Sequence, residues 1–373
     1  QRHPQQQQQP QPQQQQQQPV VQPQQPQNQS LDRQEHLDLP KSDTGSQEAE
    51  RLEAAARDAQ ETAEDAAILK RYRICNLIGT GNYARVYRGL LVSNNKELAI
   101  KSINLTKTSE NYRQKFLPRE LSILKRVSHI NICKIYEILQ VADRIFIVMQ
   151  YCSRGTIADL LQKNQGPLNE TTVRYLFAPV VDAIVYLHSL DIAHRDIKVE
   201  NILLDFEFMP KLTDFSYSCS IGDSIAASPS PFDKAYKTVT TLKSLQHLKN
   251  YRGKNQLSLR LNDTFCGTLP YLSPEMIRQF PYDSKKTDVW SLGVCLYVML
   301  NDRLPFPFND IKLMVKRQLT RDFKFRTNIE VSDACRDLIK QLFDPEFTRR
   351  PSGVEVSRHV WLSGPRERPK PIM

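Results

Sequence analysis

The stretch HRDIKVENILLDFEFMPKLTDFS, residues 194–216, limits what this chain can fold into more than any other. Asp196 and Asn201 flank a short loop. The apolar run Ile202–Leu204 follows, and Asp214 comes after an acidic, aromatic turn and the pair Lys211–Leu212. Short apolar runs separated by such a turn read as loop, strand, turn and strand. A hairpin of that size returns Asp214 to the side of Asp196 and Asn201. Two hard oxygen donors, Asn201 and Asp214, then converge beside a carboxylate able to take a proton. That set suits Mg²⁺, which takes a few protein oxygens and completes its shell with phosphate oxygens. Singly, each residue would be an ordinary solvated turn residue. The string gains meaning from the motifs on either side of it.

Upstream, RYRICNLIGTGNYARVYRGLL (71–91) alternates apolar and polar residues on both sides of Gly79 and Gly81. The pattern predicts strand, turn, strand, with glycines that let the backbone approach a phosphate closely. Ala84 stands where the third glycine of G-x-G-x-x-G would be. ELAIK (97–101) predicts a strand ending in Lys101, within reach of α- and β-phosphates. In KFLPRELSILKRV (115–127), Pro118 suits a first helical turn, and Leu121, Leu124 and Val127 form an apolar stripe. Glu120 is then the candidate ion-pair partner of Lys101. Two further strands, ICKIYEILQ and RIFIVMQYC, lead into Met149–Cys152, which reads as a hinge between two lobes. The helical run VRYLFAPVVDAIVYLHSLDI delivers the chain into residue 194.

Outside this region the texture changes. Residues 1–45 are Gln- and Pro-rich and read as a disordered tail. Residues 46–70 are rich in Ala and Glu and read as a helix or linker. The folded region spans 71–362, with a mobile, Lys- and Arg-rich insertion expected over 221–262. Order is expected to return at DTFCGTLPYLSPEM. TDVWSLGVCLYVML (287–300) is apolar nearly all round, which predicts a buried helix. Arg350 is placed to pair with Glu275, and residues 363–373 should form a loose tail. The seven cysteines are scattered with no C-x-x-C pair, as in a reduced, cytoplasmic protein. No apolar stretch of about 18 residues predicts a membrane span. The net charge of +10 would steer acidic partners such as nucleotides, but no nucleic-acid motif accompanies it.

Taken together and in this order, residues 72–362 resemble a eukaryotic protein kinase. The resemblance rests on H-R-D-x-x-x-x-N at 194–201, Asp214-Phe215 of a D-F-G, and Ser273-Pro274-Glu275 at the place of A-P-E. Lys198 resembles the serine/threonine-specific form of the catalytic loop. KFLPREL, KIYEI, TFCGT and NDIKLM are similar to the testis-specific serine kinase family of the calmodulin-kinase-like group. The Gln-rich tail and the long insertion depart from it, as do Ser216 for the last glycine of D-F-G and Ala84 for a loop glycine.

The resemblance implies an α+β, two-lobed fold, with a β-rich N-lobe over about 71–149 and a helical C-lobe over about 153–362. ATP and Mg²⁺ would bind between them. It implies that Ile78, Gly79, Gly81 and Val86 cover the nucleotide and that Ala99 and Leu203 sandwich adenine. Gln150 and Cys152 would offer hinge backbone hydrogen bonds. Lys101, held by Glu120, would hold phosphates, and Asn201 and Asp214 would bind Mg²⁺. Asp196 would orient the substrate hydroxyl and accept its proton, with Lys198 stabilising the transferring group. Thr264 would be a regulatory phosphorylation site paired with Arg195, and Glu275–Arg350 a structural pair. Implied partners are Ser/Thr-containing proteins and ATP, with room for an upstream activating kinase. No nucleic acid or membrane is expected, and the oligomeric state is left open. Spermatogenesis or sperm function is the implied process, in the cytoplasm, with nuclear or flagellar placement left open. Two rival readings are a catalytically silent kinase-fold scaffold and an assembly module carried by the Gln-rich tail.

Overall fold

The structure, a computed structural model, describes residues 70–81, 84–221 and 267–369. The Gln-rich tail, the Ala/Glu-rich stretch up to residue 69, Thr264 and nearly all of the basic insertion lie outside the described residues.

The first half is a five-stranded antiparallel sheet. Its strands are β1 (Tyr72–Thr80), β2 (Ala84–Leu91), β3 (Lys96–Asn104), β4 (Ile135–Val141) and β5 (Arg144–Gln150), in the order β1-β2-β3-β5-β4. An α-helix, α1 (Leu117–Arg126), enters between β3 and β4 after a short 3₁₀ turn, Leu105–Lys107, and one π-helical turn, Tyr112–Phe116. Alternation along β3 divides its side chains between two faces. Leu98 and Ile100 join Tyr72, Phe146 and Val148 in an outer cluster. Ala99, Lys101 and Ile103 point the other way, toward α1 and the cleft. The register sets Lys101 opposite Val86 on one side and Ile147 on the other.

α1 differs from expectation in its buried face. The buried residues are Leu117, Glu120, Ile123 and Leu124. Leu121 is half-buried, and Val127 lies past the helix end in extended backbone. Counting apolar residues misplaced the stripe because its centre is a carboxylate, Glu120, turned inward to meet Lys101.

The second half is mostly helical. α2 (Ile157–Asn164) starts at a capping box in which Thr156 and Asp159 satisfy each other's backbone N–H groups. α3 (Glu170–Ser189) begins where the Asn169 side chain accepts from the Thr172 N–H. It stops three residues short of the predicted run, and the chain instead forms β6 (Ile192–Ala193). The hairpin read from the sequence is β7 (Ile202–Leu204) and β8 (Pro210–Leu212), and β9 (Cys219–Ser220) pairs with β6. Then come α4 (Pro274–Ile277), α5 (Ser284–Asn301), α6 (Ile311–Thr320), α7 (Asp333–Leu342) and α8 (Gly353–Ser357). α5 covers the predicted buried helix. At Gly293 an added Cβ would lie 2.9 Å from the Leu342 Cβ, so glycine permits the close packing of α5 on α7.

Glu170 ties the start of α3 to the end of the described chain. Its Oε1 accepts from Arg174 (2.8 Å), the Ser332 hydroxyl (2.7 Å) and the Trp361 indole (2.8 Å), and its Oε2 from the Ser332 N–H (2.8 Å). Burial pushes this carboxyl up, but the Ser332 and Trp361 donors and Arg174 more than offset it, leaving the pKa below the ordinary 4.5. A depressed value contributes stability above the unfolded-state pKa, lost as pH falls through the folded one. Glu170→Ala is therefore expected to cost about 2–3 kcal/mol at pH 7. The difference from wild type should shrink as pH falls below the ordinary 4.5 and through the folded value, as chemical denaturation across pH would show. A constant difference at all pH values would remove the charge from the explanation.

Candidate active site

The catalytic-loop string is held by one buried acid. Asp288, on α5, accepts from the His194 N–H (2.9 Å) and the Arg195 N–H (2.7 Å), and its Oδ2 lies 2.9 Å from His188 Nε2. It is fully buried. Its grip holds Arg195 in left-handed backbone, φ 64°. Gly267 lies against this turn, where an added Cβ would meet the Arg195 carbonyl oxygen at 2.8 Å. The Arg195 Nε donates to the Tyr217 carbonyl (2.7 Å). Its expected partner Thr264 lies outside the described residues.

Asp196 sits at the bottom of the cleft with its side chain 2% exposed. Its Oδ2 receives Lys198 Nζ and Asn201 Nδ2, both at 2.9 Å, and its Oδ1 receives the Thr268 hydroxyl at 2.8 Å. Lys198 also donates to the Thr268 Oγ1 (2.8 Å). Asp196, Lys198 and Thr268 thus form a closed ring of charge-assisted hydrogen bonds, the stronger kind. Asn201 donates a second time through Nδ2, to the Asp196 carbonyl (2.9 Å), which leaves its Oδ1 as the acceptor.

Across the cleft, Lys101 Nζ is 2.7 Å from Glu120 Oε1 and 3.7 Å from Asp214 Oδ1. Glu120 is 1% exposed and also accepts from the Tyr112 hydroxyl at 3.3 Å. Burial alone would lower the Lys101 pKa. Glu120 and Asp214 outweigh it and raise its pKa above the ordinary lysine value, so the ammonium persists. Partial burial pushes the Asp214 carboxyl up, but Lys101 and the Ser216 hydroxyl hold it below the usual aspartate value. Asp214 also has left-handed backbone, φ 64°, and the Phe215 ring behind it meets His194 edge-on at 5.0 Å.

Val86, Ala99 and Leu203 share one apolar cluster with Cys133, Met149, Ile135 and Tyr151, so the strands of the first half and β7 form two walls of one slot. Gln150 is the last residue of β5, and Cys152 follows two positions later, buried. The Gln150 N–H is engaged by the Lys134 carbonyl (2.8 Å), whereas no hydrogen bond from another described residue engages the Cys152 backbone. Ile78 stands exposed at the slot's mouth on β1, and Gly79 pairs with Val86. Gly81 lies at the open end of that hairpin and donates its N–H to the Ala84 carbonyl (2.8 Å). Away from the cleft, Arg350 and Glu275 form a buried two-pronged pair at 2.8 and 3.1 Å.

The donor set fits a hard divalent cation shared with phosphate. Asn201 presents an amide oxygen, and Asp214 an ionised carboxylate whose Oδ2 has no partner among the described residues. No three His, Cys, Asp or Glu side chains among the described residues cluster closely enough to hold a metal by themselves. Phosphate and water oxygens would complete such a shell.

Three residues of this site escaped the sequence reading. Asp288 carried a signal, as the lone charge in an otherwise apolar run. Thr268 carried none, being one hydroxyl in a loop. Ser216 was noted only as a replaced glycine.

A two-lobed fold whose cleft gathers a buried lysine–glutamate pair, a catalytic-loop aspartate and two oxygen donors defines a protein kinase. The family model for the protein kinase domain matches residues 72–362. The chain is 38% identical over 301 residues to human (Homo sapiens) testis-specific serine/threonine-protein kinase 3, covering 80% of this chain and 99% of that one. It is 37% identical to the mouse (Mus musculus) protein of that name with the same coverage. To mouse testis-specific serine/threonine-protein kinase 2 it is 34% identical over 306 residues, covering 81% of this chain and 77% of that one. The chain belongs to the testis-specific serine/threonine-protein kinase family, and its activity is that of a protein serine/threonine kinase. Protein kinases use ATP and Mg²⁺ and act on protein substrates.

Proposed function

We propose that this chain moves the γ-phosphoryl group of ATP to Ser or Thr hydroxyls through the residues gathered in the cleft. The observation that carries the proposal is the joint placement of the Lys101–Glu120 pair and the Asp196–Lys198–Thr268 ring on opposite sides of one slot. Val86, Ala99 and Leu203 enclose the adenine, and the Cys152 backbone hydrogen-bonds its edge, with Ile78, Gly79 and Gly81 above. Lys101, kept charged and aimed by Glu120, holds the α- and β-phosphates. Asn201 and Asp214 would hold Mg²⁺, which would neutralise charge on the phosphates. Asp196 orients the substrate hydroxyl and takes its proton as the oxygen bonds to the γ-phosphorus. The bond from that phosphorus to ADP breaks, and Lys198 balances the charge on the moving group. The protein supplies position and electrostatics, with little covalent chemistry of its own.

The cleft also bears on sequence preference. Glu200 is exposed beside the catalytic loop, with the Tyr271 hydroxyl 3.4 Å from its Oε2. Thr156, where many kinases that prefer basic substrates carry an acid, spends its side chain capping α2. One carboxylate in place of two gives a weaker pull on an arginine upstream of the phosphorylated residue. On a peptide array the expected result is transfer to Ser and Thr with only a mild preference for upstream Arg. A strict requirement for Arg would overturn that reading of Thr156. The relatives' names carry the word testis. We extend that tissue to this chain, with spermatogenesis or sperm function as its process and the cytoplasm as its compartment. Immunostaining of testis sections that finds the protein absent would remove the extension.

A further inference from the structure

We infer that the Ser216 hydroxyl is a positioning group that presets the Asp214 carboxylate for its cation before the cation arrives. This rests on Asp214 being the metal-binding acid of the proposed mechanism. Ser216 Oγ donates to Asp214 Oδ1 at 2.6 Å, and its N–H lies 3.4 Å from the same oxygen. Lys101 Nζ donates to Ser216 Oγ at 3.4 Å while standing 3.7 Å from Asp214 Oδ1. The hydroxyl is thus a bridge, accepting from the phosphate-holding lysine and donating to the metal-binding acid. No glycine at this position could make it.

The bridge has two consequences. It loads one oxygen of Asp214 with the hydroxyl, the N–H and the nearby ammonium, which leaves Oδ2 as the oxygen offered to the cleft. It also fixes a side chain that is 41% exposed and would otherwise sample several rotamers. A free carboxylate loses that freedom when it ligates, and Ser216 removes the loss beforehand. Glycine's backbone freedom is not needed here, because Ser216 is absent from the positive-φ residues whereas Asp214 is among them.

The test is the Mg²⁺ dependence of nucleotide binding, followed with a fluorescent ATP analogue on the full chain, beside the Mg²⁺ dependence of turnover. In Ser216→Ala the Mg²⁺ midpoint for nucleotide binding should rise by about tenfold or more, since tenfold is near the lower end of what one hydrogen bond to a charged group contributes. Ser216→Thr, which keeps the hydroxyl, should restore most of it. The loss of turnover in Ser216→Ala should be concentrated at limiting Mg²⁺. A merely structural role would instead lower the melting temperature and depress binding equally at every Mg²⁺ concentration, and that result would overturn the inference. So would equal midpoints in wild type and Ser216→Ala, or a threonine variant as impaired as the alanine one. Wild-type protein whose nucleotide binding ignores Mg²⁺ altogether would instead overturn the metal-binding reading of Asn201 and Asp214, and the inference with it.

Discussion

Replacing Asp196 by Asn is expected to lower phosphate transfer by about 10²–10⁴-fold while leaving the protein folded. Asparagine keeps the shape and can still accept the Thr268 hydroxyl. It cannot take the substrate proton, and it leaves the Lys198 ammonium without its counter-charge at 2.9 Å. With the side chain only 2% exposed, little water can reach the position to act in its stead. Thermal melting by circular dichroism provides the folding control. Lys101→Met is expected to lose comparable activity but is the less clean variant. It leaves Glu120, 1% exposed, without its lysine partner, and a buried charge that has lost its ion pair is destabilising. Turnover in Asp196→Asn above about a tenth of wild type would contradict the assigned role, since removal of a positioned base costs far more.

The second large effect is on stability. Arg350 is fully buried against a Glu275 side chain that is 6% exposed. Its guanidinium also donates to the carbonyls of Lys286 (2.7 Å) and Asp344 (2.9 and 3.1 Å) and lies 5.0 Å from the Trp290 ring centre. One side chain therefore joins α4, α5 and the loop after α7. Arg350→Met fills much of the same volume but takes their guanidinium donors from the Glu275 carboxylate and the Asp344 carbonyl. Removing one partner of a buried pair costs about 3–5 kcal/mol, more than the pair itself contributes relative to an apolar replacement. Denaturant unfolding should show a loss of that size. The double variant Arg350→Met/Glu275→Leu should recover part of it, because no charge is then left buried. A single variant within about 0.5 kcal/mol of wild type, the range of an ordinary surface change, would show that the pair is dispensable.

Much of the site could be read from residue order because its chemistry demands particular side chains. His194 to Asn201, Asp214 and the Lys101-ending strand are recognisable by type and spacing, and β7 and β8 close the hairpin that the apolar runs imply. What stayed hidden depends on contacts between residues far apart in the chain. Asp288 reaches His194 over 94 positions, and Thr268 reaches Asp196 over 72. The stripe of α1 was misplaced because its inward face carries a charged residue, which an apolar count skips. The end of α3 was set too late because Leu190 and Ile192 are as apolar as the helix before them. Ile192 is used instead by the short ladder to Ser220. The role of Ser216 stays hidden because a hydroxyl's partners cannot be read from its neighbours in sequence.

This cleft is expected to transfer phosphate from ATP to Ser and Thr. The direct measurement supplies the full chain with ATP labelled at the γ-phosphate, Mg²⁺ and a protein substrate mixture, then hydrolyses the products and separates the phosphoamino acids. Label on phosphoserine and phosphothreonine, lost without Mg²⁺ and near background with Asp196→Asn, is the expected result. Label on phosphotyrosine, or wild-type transfer no faster than that of Asp196→Asn, would contradict it.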